Sequence, residues 1–130
     1  MSVERVNPPS LAAPRGFSHA VLGRGTTVFL AGQTALDADG RIVGSTIVEQ
    51  FERALANLLT ALRAAGGSPD QLASLTIYVT DLDDYRTNAA AIGEVWKRLV
   101  GRSYPAMAAV GVARLWDADA RVELQGCAVI

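Results

Sequence analysis

The feature that most constrains the fold is a long amphipathic helix pattern in the first half of the chain. Its apolar side chains recur at three- and four-residue spacing, the period of one helix face. They are Ile47, Phe51, Leu55, Leu58 and Leu62. Thr46 and Glu49 form a capping box at the start of the stretch, and Gly66-Gly67 ends it. Such a helix buries its apolar stripe against another layer of structure, so the chain must supply that layer.

The second layer is predicted to be a β-sheet. Strands are predicted at residues 18–22, 27–31, 75–79, 106–113 and 121–130, where side chains alternate or β-forming residues lie between turns. Gly23-Arg24-Gly25 is interpreted as a hairpin turn, and residues 7–14 as a loop-like arm. A second helical stripe runs from Tyr85 to Leu99. This order predicts one α+β domain over residues 1–130, with two helices on one face of a mixed sheet.

Composition excludes several classes of protein. Lys and Arg number 12 against 13 Asp and Glu, and no basic cluster stands out, which argues against a nucleic-acid partner. No apolar run approaches the roughly 18 residues of a membrane span, and the N-terminus lacks a signal-peptide pattern. The single Cys127 cannot form an internal disulfide, which favours the cytoplasm. His19 is the one histidine, so neither a metal site nor a cofactor is predicted.

Several short segments together carry a family resemblance. They are Gly16-Phe17-Ser18-His19-Ala20-Val21, Phe29-Leu30-Ala31-Gly32-Gln33, the spacing from Gln50 to Asn57, Asn88, Ser103-Tyr104-Pro105-Ala106-Met107 and Val122-Glu123-Leu124. Each segment alone is a weak signal, but their order and spacing are specific. The chain resembles the Rid superfamily, whose members include reactive-intermediate imine deaminases and which is also labelled the L-PSP endoribonuclease family.

The resemblance implies an assembly as well as a fold. It implies a chorismate-mutase-like fold with a six-stranded mixed sheet, and a homotrimer whose sheets pack together as a barrel with ligand clefts between subunits. The last strand agrees with this expectation. Arg121, Glu123, Gln125 and Cys127 share the face opposite Val122, and the helices cover only one face. The second face is therefore expected to be solvated or to meet another subunit.

The resemblance also assigns candidate site residues. In active members, an arginine after Pro-Ala grips the substrate carboxylate, a glutamate positions water, and a tyrosine and a serine line the cleft. Glu123 matches the glutamate and is the catalytic candidate. Met107 matches the arginine, Phe17 the tyrosine and Ala31 the serine. A thioether is only a weak acceptor, so Met107 cannot form a two-toothed ion pair with a carboxylate.

Asn88 and Pro105 complete the predicted substrate-binding set with Phe17, Ala31 and Met107. Structural readings compete with these roles. Met107 on a strand is commonly core filler, Glu123 can simply face solvent, and His19 is interpreted as structural. One of the arginines at positions 15, 24, 102 and 114 remains a candidate replacement for the missing cation.

The sequence thus predicts a Rid-like homotrimer that binds a small metabolite, without the standard arginine-dependent deamination. One alternative is an imine or enamine deaminase, a hydrolase that grips its substrate in another way. A ribonuclease or translation inhibitor is a further alternative, which the charge balance opposes. A pure assembly protein is the fourth reading, and whether the chain is an enzyme stays open.

Overall fold

The computed structural model describes residues 2–130. The strands are β1 (Val3–Val6), β2 (Ala20–Gly23), β3 (Thr27–Gln33), β4 (Leu72–Val79), β5 (Ala106–Gly111) and β6 (Val122–Val129). The helices are α1 (Ile47–Ala64), α2 (Leu82–Thr87) and α3 (Ala89–Leu99), and a 3₁₀ turn spans Pro69–Gln71. The α+β class is therefore confirmed.

The strands form two sheets. Four of them pair in the order β3-β6-β4-β5, with β4 and β5 parallel and the other neighbours antiparallel. The remaining two, β1 and β2, form a separate antiparallel ribbon, and a single bridge from Ser18 to Ala106 links the segment before β2 to β5. The mixed sheet is confirmed. The six strands are divided four and two, however, so the prediction of one six-stranded sheet differs from this chain.

The predicted hairpin between β2 and β3 is wrong. Among residues 2–130, β2 pairs with β1, and β3 pairs with β6. Thr26 and Ile130 exchange backbone hydrogen bonds of 2.8 and 2.9 Å. The end of the chain therefore pairs with the start of β3, at the position where the hairpin prediction places β2. Arg24, in the turn between the two strands, donates its backbone N–H to the Ser2 carbonyl (2.8 Å). The turn therefore carries the chain from one sheet to the other.

Helix α1 begins as the sequence predicts. Thr46 Oγ1 accepts from the Glu49 backbone, and Glu49 Oε1 accepts from the Thr46 backbone, both at 3.1 Å. The Ser45 backbone, the Thr46 and Ser45 hydroxyls and the Thr46 backbone all donate to the Glu49 carboxylate, and these bonds hold the pKa of Glu49 below its usual value. The capping box thus satisfies backbone donors that would otherwise lack partners at the helix start.

The second long helix is interrupted. The side chain of Asn88 donates to the Asp84 carbonyl (2.9 Å) and to Asp84 Oδ1 (3.0 Å), and the junction lies between α2 and α3. A short polar side chain that bonds to a carbonyl of the preceding turn competes with the backbone ladder. No helix within residues 2–130 is long and apolar enough to cross a membrane.

The core lies between the helices and one face of the four-stranded sheet. Its fully buried side chains come from α1, β4 and β6, with α3 closing one end: Phe51, Leu55, Leu58, Leu62, Leu75, Ile77, Val79, Ile92, Trp96, Val122, Leu124 and Ala128. The other sheet face is uncovered in the single chain. Phe29 on that face is 82% exposed, and its cross-strand partner Cys127 is half-buried.

A buried polar residue connects α1 to the loop before β6. Gln50 is 2% exposed. Its Nε2 donates to the carbonyls of Gly44 (3.1 Å) and Asp119 (3.2 Å), and its Oε1 accepts from the Arg121 backbone (2.8 Å). A single side chain therefore satisfies three backbone groups from two loops.

We expect Gln50→Leu to lower the free energy of unfolding by about 2–5 kcal/mol, because it keeps the volume but removes the partner of three part-buried backbone groups. Urea denaturation measures this loss. The control is Glu94→Gln, which affects only an exposed 3.5 Å pair with Lys97 and should change stability by less than about 0.5 kcal/mol. A loss below about 1 kcal/mol for Gln50→Leu would contradict the role assigned to Gln50.

Candidate functional site

Two of the candidate residues, Met107 and Glu123, lie on opposite faces of the sheet. Met107 pairs with Leu75 on β4, and Leu75 is buried under the helices. Glu123 pairs with Tyr78, three residues further along the same strand. Because successive side chains alternate between faces, Met107 faces the helices and Glu123 faces the uncovered side. The two side chains are separated by the sheet within one chain.

Met107 lines a cavity of about 230 Å³. We call it the Met107 cavity. It lies between the β5 edge of the sheet, helices α2 and α3, and the end of the N-terminal arm, a name that from here on covers residues 7–18. Its lining residues are Arg15, Gly16, Phe51, Ile77, Tyr85, Ala89, Ile92, Gly93, Trp96, Tyr104 and Met107.

Two aromatic pairs form much of the cavity wall. Trp96 and Tyr104 stack with ring centroids 6.0 Å apart and planes 13° apart, and Phe51 meets Tyr85 edge to face at 6.3 Å. Burial raises the pKa of Tyr85 to about 12. None of the hydrogen bonds within residues 2–130 uses the Tyr85 hydroxyl, so this group is a neutral donor and acceptor beside the cavity.

Hydrogen bonds fix the N-terminal arm against the start of β5. Ser18 is 4% exposed. It donates its backbone N–H to the Pro105 carbonyl (2.9 Å) and its hydroxyl to the Tyr104 carbonyl (2.7 Å). The Tyr104 carbonyl also accepts from Arg5 Nε (3.2 Å). Pro105 itself is fully buried, so its part in the site is to hold the arm beside Met107.

Phe17 and Asn88 make contacts of their own outside the cavity lining. The Phe17 ring meets the His19 ring edge to face at 5.1 Å, and His19 Nε2 lies 2.7 Å from the Ala12 carbonyl. Both side-chain hydrogen bonds recorded for Asn88 go to Asp84, which commits its amide to the junction between α2 and α3.

Glu123 lies directly over the backbone of Gly32. A Cβ built on Gly32 would overlap the Glu123 carboxylate, so a larger residue there would require the end of that side chain to move. Ala31 is exposed beside it on β3. Within residues 2–130, no protein group donates a hydrogen bond to the Glu123 carboxylate, whereas Tyr78 Oη bonds to Gln125 (3.2 Å). The carboxylate is thus free to orient water or to meet a donor from outside the chain.

The sequence does not reveal that aromatic residues of the helical stripe would line a cavity. Tyr85 and Trp96 fit the stripe as core residues. Their placement beside Met107 depends on how α2 and α3 cross the sheet, which local periodicity does not encode. The available signal is that both rings carry polar atoms at a position where a fully apolar core would use Leu or Phe.

We expect Gly32→Ala to lower the unfolding free energy by less than about 1 kcal/mol, because the end of the Glu123 side chain can move away. Gly126→Ala should cost about 3 kcal/mol, since its Cβ would overlap the Ser74 backbone carbonyl. Urea denaturation compares the two variants. In a Glu123→Ala background, the cost of Gly32→Ala should vanish. An unchanged cost there would show that Glu123 does not occupy this space.

Comparisons with known proteins agree with this architecture. The family described as Endoribonuclease L-PSP matches residues 8–130. A RutC family protein of Pyrococcus abyssi is 36% identical over 105 residues, which cover 80% of this chain and 79% of that protein. A 2-iminobutanoate/2-iminopropanoate deaminase of Capra hircus is 32% identical over 128 residues, which cover 98% of this chain and 88% of the deaminase.

Solved structures show the same fold. The Rid family protein YyfB of Yersinia pestis superimposes with a TM-score of 0.90 at 32% identity, and the match covers 100% of both chains. RidA of Psychrobacter sp. PAMC 21119 gives a TM-score of 0.71 at 28% identity and covers 100% of this chain and 99% of its own. Since the family match extends over nearly the entire sequence, the chain belongs to the L-PSP endoribonuclease family, the Rid superfamily.

Proposed function

We propose that this protein is a Rid-family homotrimer that binds a small metabolite in clefts completed between subunits, and that it is a poor arginine-dependent imine deaminase. The observation that carries the proposal is the separation of Met107 and Glu123 on opposite faces of the sheet. A site that uses both positions needs a second copy of the chain to bring them together.

The uncovered sheet face supports the assembly. Phe29 is a large apolar side chain at 82% exposure, and Ser74, Thr76, Gln125 and Cys127 line the same shallow depression. An exposed surface that carries a large aromatic side chain is typical of an interface with another subunit. Burial of this face would also cover the side of the sheet that the helices leave open.

The chemistry of the matched positions supports weak deamination. Hydrolysis of an imine adds water to the C=N carbon and releases ammonia, leaving a ketone. Glu123 is the carboxylate available to orient that water. Met107 offers no charge to a substrate carboxylate, and loss of a buried arginine–carboxylate pair costs about 2–5 kcal/mol. Because each 1.4 kcal/mol is about a tenfold change in rate, the loss corresponds to orders of magnitude.

The alternative is an imine or enamine deaminase that uses a non-standard site. The relatives named 2-iminobutanoate/2-iminopropanoate deaminase, which align over most of this chain, support it. A ribonuclease or translation inhibitor has the family description in its favour, but a net charge of −1 offers little attraction to RNA. A cytoplasmic location is part of the proposal.

We expect wild-type protein at micromolar concentration to sediment with the mass of three chains. Phe29→Lys should dissociate it, because three charges would be buried where the sheet faces meet. The substituted side chain is exposed in the single chain, so the monomer should keep its helical circular dichroism. Thr60→Lys, on the exposed side of α1, is the matched control and should remain a trimer. A monomeric wild type would refute the interfacial cleft.

We expect the wild type to release ammonia from freshly generated 2-iminobutanoate at least about 100-fold more slowly than an arginine-containing relative, which corresponds to about 2.7 kcal/mol. Met107→Arg should recover part of the rate, whereas Met107→Leu should not. Glu123→Gln in the Met107→Arg background should abolish the gain. A wild-type rate within tenfold of the relative would favour the deaminase alternative.

A further inference from the structure

The Met107 cavity contains one charged group. Within the lining described above, Arg15 carries the only formal charge, and the other side chains are aliphatic, aromatic or absent. None of the hydrogen bonds or ion pairs within residues 2–130 uses the Arg15 guanidinium. It is an exposed side chain at the rim of an otherwise apolar space. An unpaired guanidinium in that position attracts an anion.

The arm holds Arg15 in place. Gly16 follows it with a positive φ of 72°, a conformation that favours glycine, and the bonds of Ser18 to Tyr104 and Pro105 anchor the chain two residues later. The backbone that carries Arg15 is therefore anchored beside the start of β5, the strand that carries Met107. Other arginines are less suited: Arg102 and Arg114 are exposed and absent from the lining, and Arg24 lines a different depression.

The apolar lining of the cavity indicates what the uncharged part of a ligand would be. The planes of the Trp96 and Tyr104 rings are nearly parallel. Met107 is a flexible, polarizable neighbour that adapts to flat or irregular groups. At about 230 Å³, the cavity is smaller than the roughly 300–1,000 Å³ of drug-sized pockets. The cavity accordingly has room for a small molecule with an apolar body.

We propose that the Met107 cavity binds a small organic monoanion, whose carboxylate meets Arg15 at the rim while its apolar body lies against Met107, Trp96 and Tyr104. The cation for the ligand thus comes from the N-terminal arm. This inference deepens the proposed function by naming the ligand class of the same site, and it rests on the assignment of Met107 to that site. It does not require the trimer, because all the residues involved belong to one chain.

The test uses Trp96 as its reporter. A Trp116→Phe background removes the other tryptophan, which is 96% exposed, so that fluorescence reports the cavity wall. The probes are phenylacetate, its neutral isostere phenylacetamide, and acetate as an anion without an apolar body. We expect phenylacetate to bind about five- to tenfold tighter than phenylacetamide, and acetate to bind at least tenfold more weakly than phenylacetate. Added salt should weaken phenylacetate binding, because the guanidinium is exposed.

The matched variants are Arg15→Gln and Arg102→Gln. Arg15→Gln should reduce the affinity for phenylacetate about five- to tenfold and leave phenylacetamide unchanged. Arg102→Gln should leave both within twofold of the parent. Equal binding of the acid and the amide, an unaffected Arg15→Gln variant, or no binding of any probe at millimolar concentration would each overturn the proposal.

Sedimentation of the same samples separates the two proposals. A monomer that binds phenylacetate through Arg15 would refute the trimeric cleft and support the ligand assignment. A trimer with slow deamination but no Arg15-dependent binding would overturn the ligand assignment alone.

Discussion

The alternation of side chains along β4 and β6 decides which residues of this protein can meet. Both strands are central in the four-stranded sheet, and each places its aliphatic residues under α1 and its polar residues on the uncovered face. Gly126 allows the close approach of the two strands, because any side chain there would collide with the Ser74 carbonyl. A one-residue shift of β6 would turn Glu123 into the core and expose Leu124, so the register is strongly specified.

Local sequence patterns predict the elements of this fold better than they predict its pairings. The capping box at Thr46 marks the start of α1, and the alternation around Ile77 marks β4, because both signals depend on neighbouring residues. The ribbon strand β1 lacks such a signal, and β2 pairs with β1 instead of forming the predicted hairpin with β3. That choice depends on Ile130, at the other end of the chain, which occupies the partner position beside Thr26.

The candidate site shows the same division. The sequence identified Met107 and Glu123 through the family resemblance, yet the strand order places them two strands apart and on opposite faces. It offered Arg15 as one of several possible cations, and only the three-dimensional course of the arm distinguishes Arg15 from Arg102. Arg102 is closer to Met107 in sequence, but the bond from Ser18 to the Tyr104 carbonyl brings the arm to the cavity, and Arg15 lines it.

Met107 and Arg15 make a coherent pair in physical terms. A guanidinium on the buried side of β5 would be desolvated, and its cost would have to be offset by a bound anion or a paired carboxylate. A methionine at that position packs against the core without such a requirement, so the empty cavity stays stable. A cation at the rim keeps its contact with water when no ligand is bound. The arrangement favours ligands whose binding relies on apolar contact as much as on charge.

Glu123 constrains what can cover the open face. Its carboxylate has no donor from residues 2–130 and lies above Gly32, where the strand offers no side chain to shield it. A second subunit that sealed this face without a donor would bury an unpaired charge, at a cost of several kcal/mol. A purely structural interface would be more stable with an uncharged residue at that position. A carboxylate there instead favours an interface that keeps water or a ligand beside Glu123, so the open face is better explained as part of a cleft than as a packing surface alone.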